Sequence, residues 1–269
     1  MTDNPLGKKT AYPDTYSPDV LFAIPRSEGR AQLDFTGFDG YDVWNAFEFS
    51  YLTLSGKPVA RRLIISYTAD SPNIVESKSL KLYLGSFSQA KFADNEVIRR
   101  IHDDLTSLLQ ADVVSVQLYD HNAIPAYDTF SAAVLIDDLD VACSIYSPDS
   151  ALLRVKQEKA DYAVLVSHLL KTNCPITGQP DWGSVLIGYS GEQSIDEASL
   201  LRYIVSFRNH AGYHEQCCEQ IFSDIYTAVK PYQLTVACFY TRRGGIDINP
   251  VRYLGDPILP VTNFHTWRQ

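Results

Sequence analysis

Cys174 stands in a polar, Gly/Pro-rich stretch, Asn173-Cys174-Pro175-Ile176-Thr177-Gly178-Gln179-Pro180-Asp181-Trp182-Gly183. Most cysteines are small buried hydrophobes, whereas a thiol in a turn-rich loop stands where functional side chains concentrate. Such a thiol can act as a nucleophile toward an electrophilic carbon. Asp181 follows seven residues later, close enough in a folded loop to share a site with it. A carboxylate beside a thiolate disfavours both charges, so the pair makes chemical sense with Asp181 as a protonated acid or hydrogen-bond donor. The competing reading is a loop whose aspartate caps a turn.

Three more segments carry candidate chemistry. Val75-Glu76-Ser77-Lys78-Ser79-Leu80-Lys81-Leu82-Tyr83 follows a strand and opens a helical section. Its serines and lysines could cradle phosphates, because N–H groups at a helix start point outward with partial positive charge. Taken alone it reads more simply as a solvated helix start with Ser77 or Ser79 as cap and Glu76 complementing the dipole. Tyr213-His214-Glu215-Gln216-Cys217-Cys218 begins the last long helix. Thr241-Arg242-Arg243-Gly244-Gly245-Ile246-Asp247-Ile248-Asn249-Pro250 offers paired arginines for phosphate, or an exposed hairpin. His210 and His214 have a two-ligand spacing without the glutamate of a zincin, and Cys217 and Cys218 face different sides of a helix, so no metal is expected. No glycine fingerprint of a dinucleotide-binding Rossmann turn follows a strand.

The bulk composition narrows the class. The 269 residues are 45% hydrophobic and 20% charged, enough for one large domain or two smaller ones. A net charge of −9 argues against nucleic acid as a partner but not against a small anion held by a local basic cluster. Residues Met1 to Arg26 lack the apolar segment of a signal peptide, and no run is long enough to span a bilayer. The five cysteines include an adjacent pair and no CxxC, which fits a reducing cytoplasm rather than a disulfide framework.

The elements that must position these residues repeat. Ser79-Leu80, Tyr83 and Ser86-Phe87 recur 120 residues later as Ser199-Leu200, Tyr203 and Ser206-Phe207. The register persists through Ile101/Ile221, Asp104/Asp224 and Val116/Val236, so the chain reads as two copies of one unit. In the first, Trp44 to Leu54 and Val59 to Thr68 read as strands around a Ser55-Gly56-Lys57-Pro58 turn. Helical spacing through Val97, Ile98, Ile101, Leu105, Leu108 and Leu109 follows, then a strand alternating at Val114, Val116 and Leu118. The second copy predicts strands near Ala163–Leu170, Ser184–Tyr189 and Leu234–Tyr240, with helices over Ser199–Phe207 and through Cys218, Ile221, Phe222, Ile225 and Val229. With Ala132–Ile136 and Ile246–Ile248 as last strands, each unit is ββααββ, an α+β antiparallel sheet with helices on one face. The expected divisions are an extended arm over 1–25, a first unit over 26–136, a connecting segment over 137–162 and a second unit over 163–269.

The four motifs, in this order across roughly residues 40 to 250, resemble the NADPH-dependent nitrile reductases that convert 7-cyano-7-deazaguanine to 7-aminomethyl-7-deazaguanine in queuosine tRNA modification. The resemblance is to the longer, two-unit subfamily and implies tandem tunnelling-fold (T-fold) units in a cytoplasmic homodimer, without membrane or direct nucleic-acid binding. It implies Cys174 as the nucleophile that forms a covalent thioimide, and Asp181 as the general acid. Val75, Glu76, Ser77, His214 and Glu215 match the substrate-holding positions. Ser77, Lys78, Arg243 and Gly244, helped by Ser79, Lys81 and Arg242, match the NADPH positions, with two NADPH consumed per turnover. The first copy keeps the Ser/Lys motif but has Ala93-Asp94 near the place of His214-Glu215. The second keeps the cysteine but reads Asp196-Glu197-Ala198-Ser199 in place of the Glu76 segment. The losses are complementary, so one complete set of groups requires both copies. The rival readings are a purine- or pterin-handling relative such as a cyclohydrolase, a non-catalytic module of the same fold, and a Cys-dependent hydrolase.

Overall fold

The computed structural model describes residues 12–120, 132–257 and 265–269; residues 1–11 of the expected arm lie outside them. In chain order the elements are β1 (Ala23–Pro25), α1 (Arg26–Arg30), β2 (Asp39–Leu52), β3 (Pro58–Thr68), β4 (Asn73–Val75), α2 (Ser77–Gly85), α3 (Asp94–Leu109), β5 (Val114–Tyr119) and β6 (Val134–Leu135). There follow β7 (Val155–Lys156), β8 (Ala160–Asn173), β9 (Pro180–Gly191), β10 (Ser194–Ile195), α4 (Glu197–Ser206), α5 (His214–Val229), β11 (Gln233–Tyr240) and β12 (Ile246–Leu254). The chain divides into two compact units. The first holds Met1–Glu28, Asp42–Pro125 and Arg242–Asp247, and the second Gly29–Tyr41, Ala126–Thr241 and Ile248–Gln269. The arginine segment, expected with the second copy, therefore belongs to the first unit.

In the first unit β2 and β3 form a hairpin, closed by Thr53 N donating to Lys57 O and by Gly56 in the left-handed region at φ +88°. Next, β3 pairs antiparallel with β5 from Arg62 opposite Tyr119 to Tyr67 opposite Val114. Helix α3 buries Val97, Ile101, Leu105 and Leu109 completely, one stripe at a four-residue interval. Each such aliphatic burial is worth ~1.5–3 kcal/mol, which is what holds α3 in place. Residues 12–25 are not a free arm. β1 pairs antiparallel with β4, and Tyr16 packs edge-on against Phe87 while its hydroxyl donates to Asp104.

In the second unit β9 pairs antiparallel with both β8 and β11, and β11 with β12. Alternate residues supply two apolar faces. Leu170, Val185, Ile187, Val236, Cys238 and Tyr240 pack with α4 and α5, whereas Val166, Leu186, Ala237 and Phe239 form the opposite cluster. The segment expected to finish the first unit, Ala132–Ile136, is corrected here. Its Val134–Leu135 runs parallel to Leu165–Val166 of β8, with Ile136 N donating to Val166 O. Ile136 explains the choice: it is 1% exposed in the second core, while Val134 and Leu135 stay in solvent at the edge. Among the described residues, β5 is the strand that follows α3 in the first unit.

The repeat is visible atom by atom. Tyr83 donates to Asp104 and Tyr203 to Asp224, both at 2.5 Å, and Ser86 and Ser206 return to the carbonyls of Tyr83 and Tyr203 at 2.6 Å. Helices α3 and α5 both end on a left-handed residue, Gln110 and Lys230. The counterpart of the arm lies in the segment expected to be only a connection. β7 pairs with β10 as β1 does with β4, and Arg154 N reaches Ser199 Oγ as Phe22 N reaches Ser79 Oγ, each at 3.0 Å.

Candidate active site

The hairpin between β8 and β9 sets the thiol. Cys174 N donates to Gln179 O and Gly178 N to Cys174 O, with Gly178 at φ +67°, so the loop is a closed turn. Thr172 stands directly opposite Asp181 in the ladder. Cys174 lies two residues beyond Thr172, just past the end of β8 in this turn, and Thr172 and Asp181 share one face of the sheet. That face carries α4 and α5. Asp181 is 3% exposed, Thr172 is fully buried, and Cys174 is half-buried at the rim.

The start of α5 is tied to the same strand end. Asn173 N donates to His210 O at 2.8 Å, and Gly212 N returns to Asn173 O at 3.2 Å. This bridge brings the first residue of α5, His214, onto the acid, with Nε2 3.4 Å from Asp181 Oδ2. A carboxyl and an imidazole at that distance can hold a single proton between them for delivery to a bound group. His214 is walled on one side by Tyr240, whose ring lies 3.6 Å away at 6°. Glu215, next on α5, is 3% exposed. Cys217 is fully buried, and its thiol is pushed up to about 12 by that burial, so it is a neutral packing group. Cys218 faces the sheet, 3.5 Å from Val236 O and Pro250 O.

The first unit repeats this scaffold without its chemistry. Leu52 N donates to Ala90 O and Phe92 N to Leu52 O, the same bridge, with Thr53 where the second copy has Cys174. Asp94 opens α3 where His214 opens α5, and it accepts from Tyr51 rather than facing an acid.

The basic residues gather in the first unit. The carboxylate of Glu76 caps α2, accepting from Lys78 N at 2.7 Å and Ser79 N at 2.8 Å. These two N–H groups are thus already engaged, and the helix start is not the open phosphate cradle the sequence allowed. Ser79 is fully buried, donating to Glu76 O and accepting from Phe22 N. Ser199 does the same with Asp196 O and Arg154 N in the copy that lacks the basic motif. Ser79 and Ser199 therefore share one structural job, closing the starts of α2 and α4. Val75 is buried at the end of β4, leaving Ser77, Lys78 and Lys81 as the half-buried polar side chains of the motif.

Arg243, Gly244, Gly245 and Ile246 form a two-residue turn, with Gly244 at φ +62° and Gly245 at +78° and Arg243 N donating to Ile246 O. A Cβ on Gly244 would come 3.4 Å from Lys81 Cδ, so the turn lies against that lysine. Arg242 lays its guanidinium 3.8 Å from the centroid of the Phe47 ring. A small open cleft beside this turn is lined by Lys81, Gly244, Gly245, Glu48 and Ser88 among others. Lys81 is the cation in that lining, and Arg242 and Arg243 flank the turn that closes it. Tyr240, Thr172 and Gly183 were not singled out from sequence. Their signal lay in strand parity, since Thr172 precedes Cys174 by two and Tyr240 follows Val236 and Cys238 at the same interval.

Known proteins share much of this sequence. Residues 12–118 match the family described as "Nitrile reductase, 7-cyano-7-deazaguanine-reductase N-term", and residues 180–257 match "QueF-like protein". The NADPH-dependent 7-cyano-7-deazaguanine reductase of Burkholderia ambifaria is 48% identical over 274 residues, covering 99% of this chain and 98% of that protein. The enzyme of the same description from Burkholderia multivorans is 48% identical over 271 residues, with the same coverage. A solved structure, the archaeosine synthase QueF-Like in the apo form, covers 36% of this chain at 19% identity and a TM-score of 0.34. The α+β fold, the loop thiol and these relatives define an oxidoreductase. The chain belongs to the 7-cyano-7-deazaguanine reductase family of nitrile reductases. Among the described residues, no helix is long and apolar enough to cross a membrane, and no three His, Cys, Asp or Glu side chains are grouped to hold a metal ion.

Proposed function

We propose that this chain reduces the nitrile of 7-cyano-7-deazaguanine to the primary amine of 7-aminomethyl-7-deazaguanine through a thioimide on Cys174. The observation that carries the proposal is the thiol in the β8–β9 turn, the same hairpin that holds Asp181 against His214.

The sulfur of Cys174 attacks the nitrile carbon, one C–N π bond opens, and nitrogen takes a proton from the Asp181–His214 pair, giving S–C(=NH). A bound thioimide accepts hydride far more readily than the nitrile. NADPH supplies hydride at that carbon, first to the thioimide and again to the imine that remains after the C–S bond breaks. Cys174 leaves as thiolate and regains a proton, and Asp181 returns a proton to nitrogen. The balance is nitrile plus two NADPH plus two H⁺ giving amine plus two NADP⁺.

His214 and Glu215 hold the deazaguanine, whose ring edge offers N–H donors to a carboxylate. Val75, Glu76 and Ser77 of the first unit are further proposed substrate-holding residues. Glu76 Oε1 already accepts from Lys78 N and Ser77 Oγ, whereas Oε2, which accepts from Ser79 N, keeps a lone pair that can accept from the ring. Ser77, Lys78, Lys81, Arg242, Arg243 and Gly244 bind NADPH, with the paired arginines suited to phosphate. The enzyme acts as a cytoplasmic homodimer. Incubation with the nitrile and NADPH tests the activity: two NADPH consumed per amine formed supports it, and no nitrile-dependent consumption overturns it.

A further inference from the structure

We propose that Tyr240 is a positioning residue for this reaction, its ring face holding the His214 imidazole in the plane that directs Nε2 at Asp181. The inference rests on the thioimide mechanism above and adds a residue to it.

An imidazole at the first position of a helix has two free torsions, and Nε2 meets Asp181 only for a narrow range of them. Tyr240 removes that freedom by lying parallel to the imidazole, centroid to centroid 3.6 Å, at 6°. The tyrosine itself has little freedom. It is fully buried, ends β11 on the helix-covered face, and its carbonyl accepts from Gln269 Nε2 at 3.1 Å.

The strand opposite makes room for the flat ring. Gly183 pairs with Tyr240 in the β9–β11 ladder, and a Cβ there would come 3.2 Å from Tyr240 Cδ1 and 3.3 Å from Cε1. A side chain at 183 would press on the ring and tilt it away from the parallel stack. Gly183 lies two residues from Asp181 on the same face, so one short stretch of β9 supplies both the acid and the space for the wall behind its partner.

Asp181 from β9 and Tyr240 from β11 face His214, and Glu215 and Cys217 follow it on its own helix. Burial keeps the Tyr240 phenol and the Cys217 thiol protonated, both shifted well up. What Tyr240 offers His214 is therefore an uncharged aromatic face, and the ring rather than the hydroxyl is the working part.

The test measures thioimide formation in single turnover and steady-state reduction for Tyr240→Leu, Gly183→Ala and Tyr240→Phe, each checked for folding by circular dichroism. Misplacing a catalytic group by a fraction of its reach costs ~10–100-fold in rate. Tyr240→Leu and Gly183→Ala are expected to slow thioimide formation and kcat by that factor, with a smaller rise in the KM for the nitrile, which His214 also helps to hold, and the KM for NADPH within about threefold. Tyr240→Phe, which keeps the ring, is expected to restore the rate to within about threefold. If Tyr240→Leu does not fold, Gly183→Ala carries the test, since it leaves the tyrosine present and only displaces it. Gly183→Ala at the wild-type rate, or Tyr240→Phe as slow as Gly183→Ala, overturns the proposal. Failure of the wild-type protein itself to form the thioimide would instead remove the mechanism on which the proposal rests.

Discussion

His214 Nε2 lies 3.4 Å from Asp181 Oδ2, although the two residues are 33 positions apart and sit on different elements. The bridge between Asn173 and the 210–212 segment brings them together, and the same bridge adjoins Cys174. One local fastening thus aligns nucleophile, acid and imidazole, and each can be changed separately.

Cys174→Ala is expected to abolish reduction while leaving nitrile binding within a few-fold, because recognition lies in the carboxylates. Cys217→Ser and Cys218→Ser should keep forming the thioimide, since both thiols are fully buried packing groups. Rapid turnover by Cys174→Ala, measured as NADPH oxidation, would remove the covalent route.

Asp181→Asn keeps the size and much of the hydrogen bonding of the site but cannot deliver a proton. General acid catalysis is commonly worth ~10²–10⁴-fold, so kcat should fall by about two orders of magnitude or more with a smaller change in KM. A wild-type rate and pH–rate profile would reduce Asp181 to a loop-former.

Glu76 is expected to show two separable effects. Glu76→Ala removes the carboxylate that receives Lys78 N and Ser79 N, at ~0.5–2 kcal/mol for a lost helix cap. Glu76→Asp should recover part of that stability, as Asp196 caps α4 with a single bond to Ser199 N. Urea denaturation of both variants checks this, and unchanged midpoints would contradict the capping role.

Lys78→Ala and Arg243→Ala should each raise the KM for NADPH by ~10–100-fold, the equivalent of one charge-assisted contact of ~1.5–3 kcal/mol. Both residues lie in the first unit, so a double variant should be non-additive. Thioimide formation, which needs no cofactor, should survive in both. Additive effects with unchanged NADPH affinity would make the two residues a solvated surface.

The repeat was legible because it is written in side chains with fixed jobs. Tyr83 and Tyr203 each need an aspartate 21 residues on, and Ser79 and Ser199 each lock a helix start, so chemistry and spacing coincide. The stripe of Val97, Ile101, Leu105 and Leu109 and the alternation in β5 and β11 were equally plain, being periodic. What escaped was non-periodic or long-range. β1 and β7 are three- and two-residue strands with different spacings to their partners, so the arm and the connection did not look alike. Arg242–Asp247 joins the first unit through contacts such as Phe47 N to Gly245 O, which no local pattern encodes. Thr172 and Tyr240 read as ordinary strand residues, because only the fold reveals that Tyr240 lies flat on His214.

The central claim is that Cys174 bonds to the nitrile carbon. It is tested most directly by mass spectrometry of the protein incubated with 7-cyano-7-deazaguanine in the absence of NADPH, followed by peptide mapping. The account predicts a mass increase of one intact nitrile molecule per chain, located on the peptide containing Cys174 and lost when NADPH is added. An unmodified protein, or an adduct on Cys143, Cys217, Cys218 or Cys238, would contradict it.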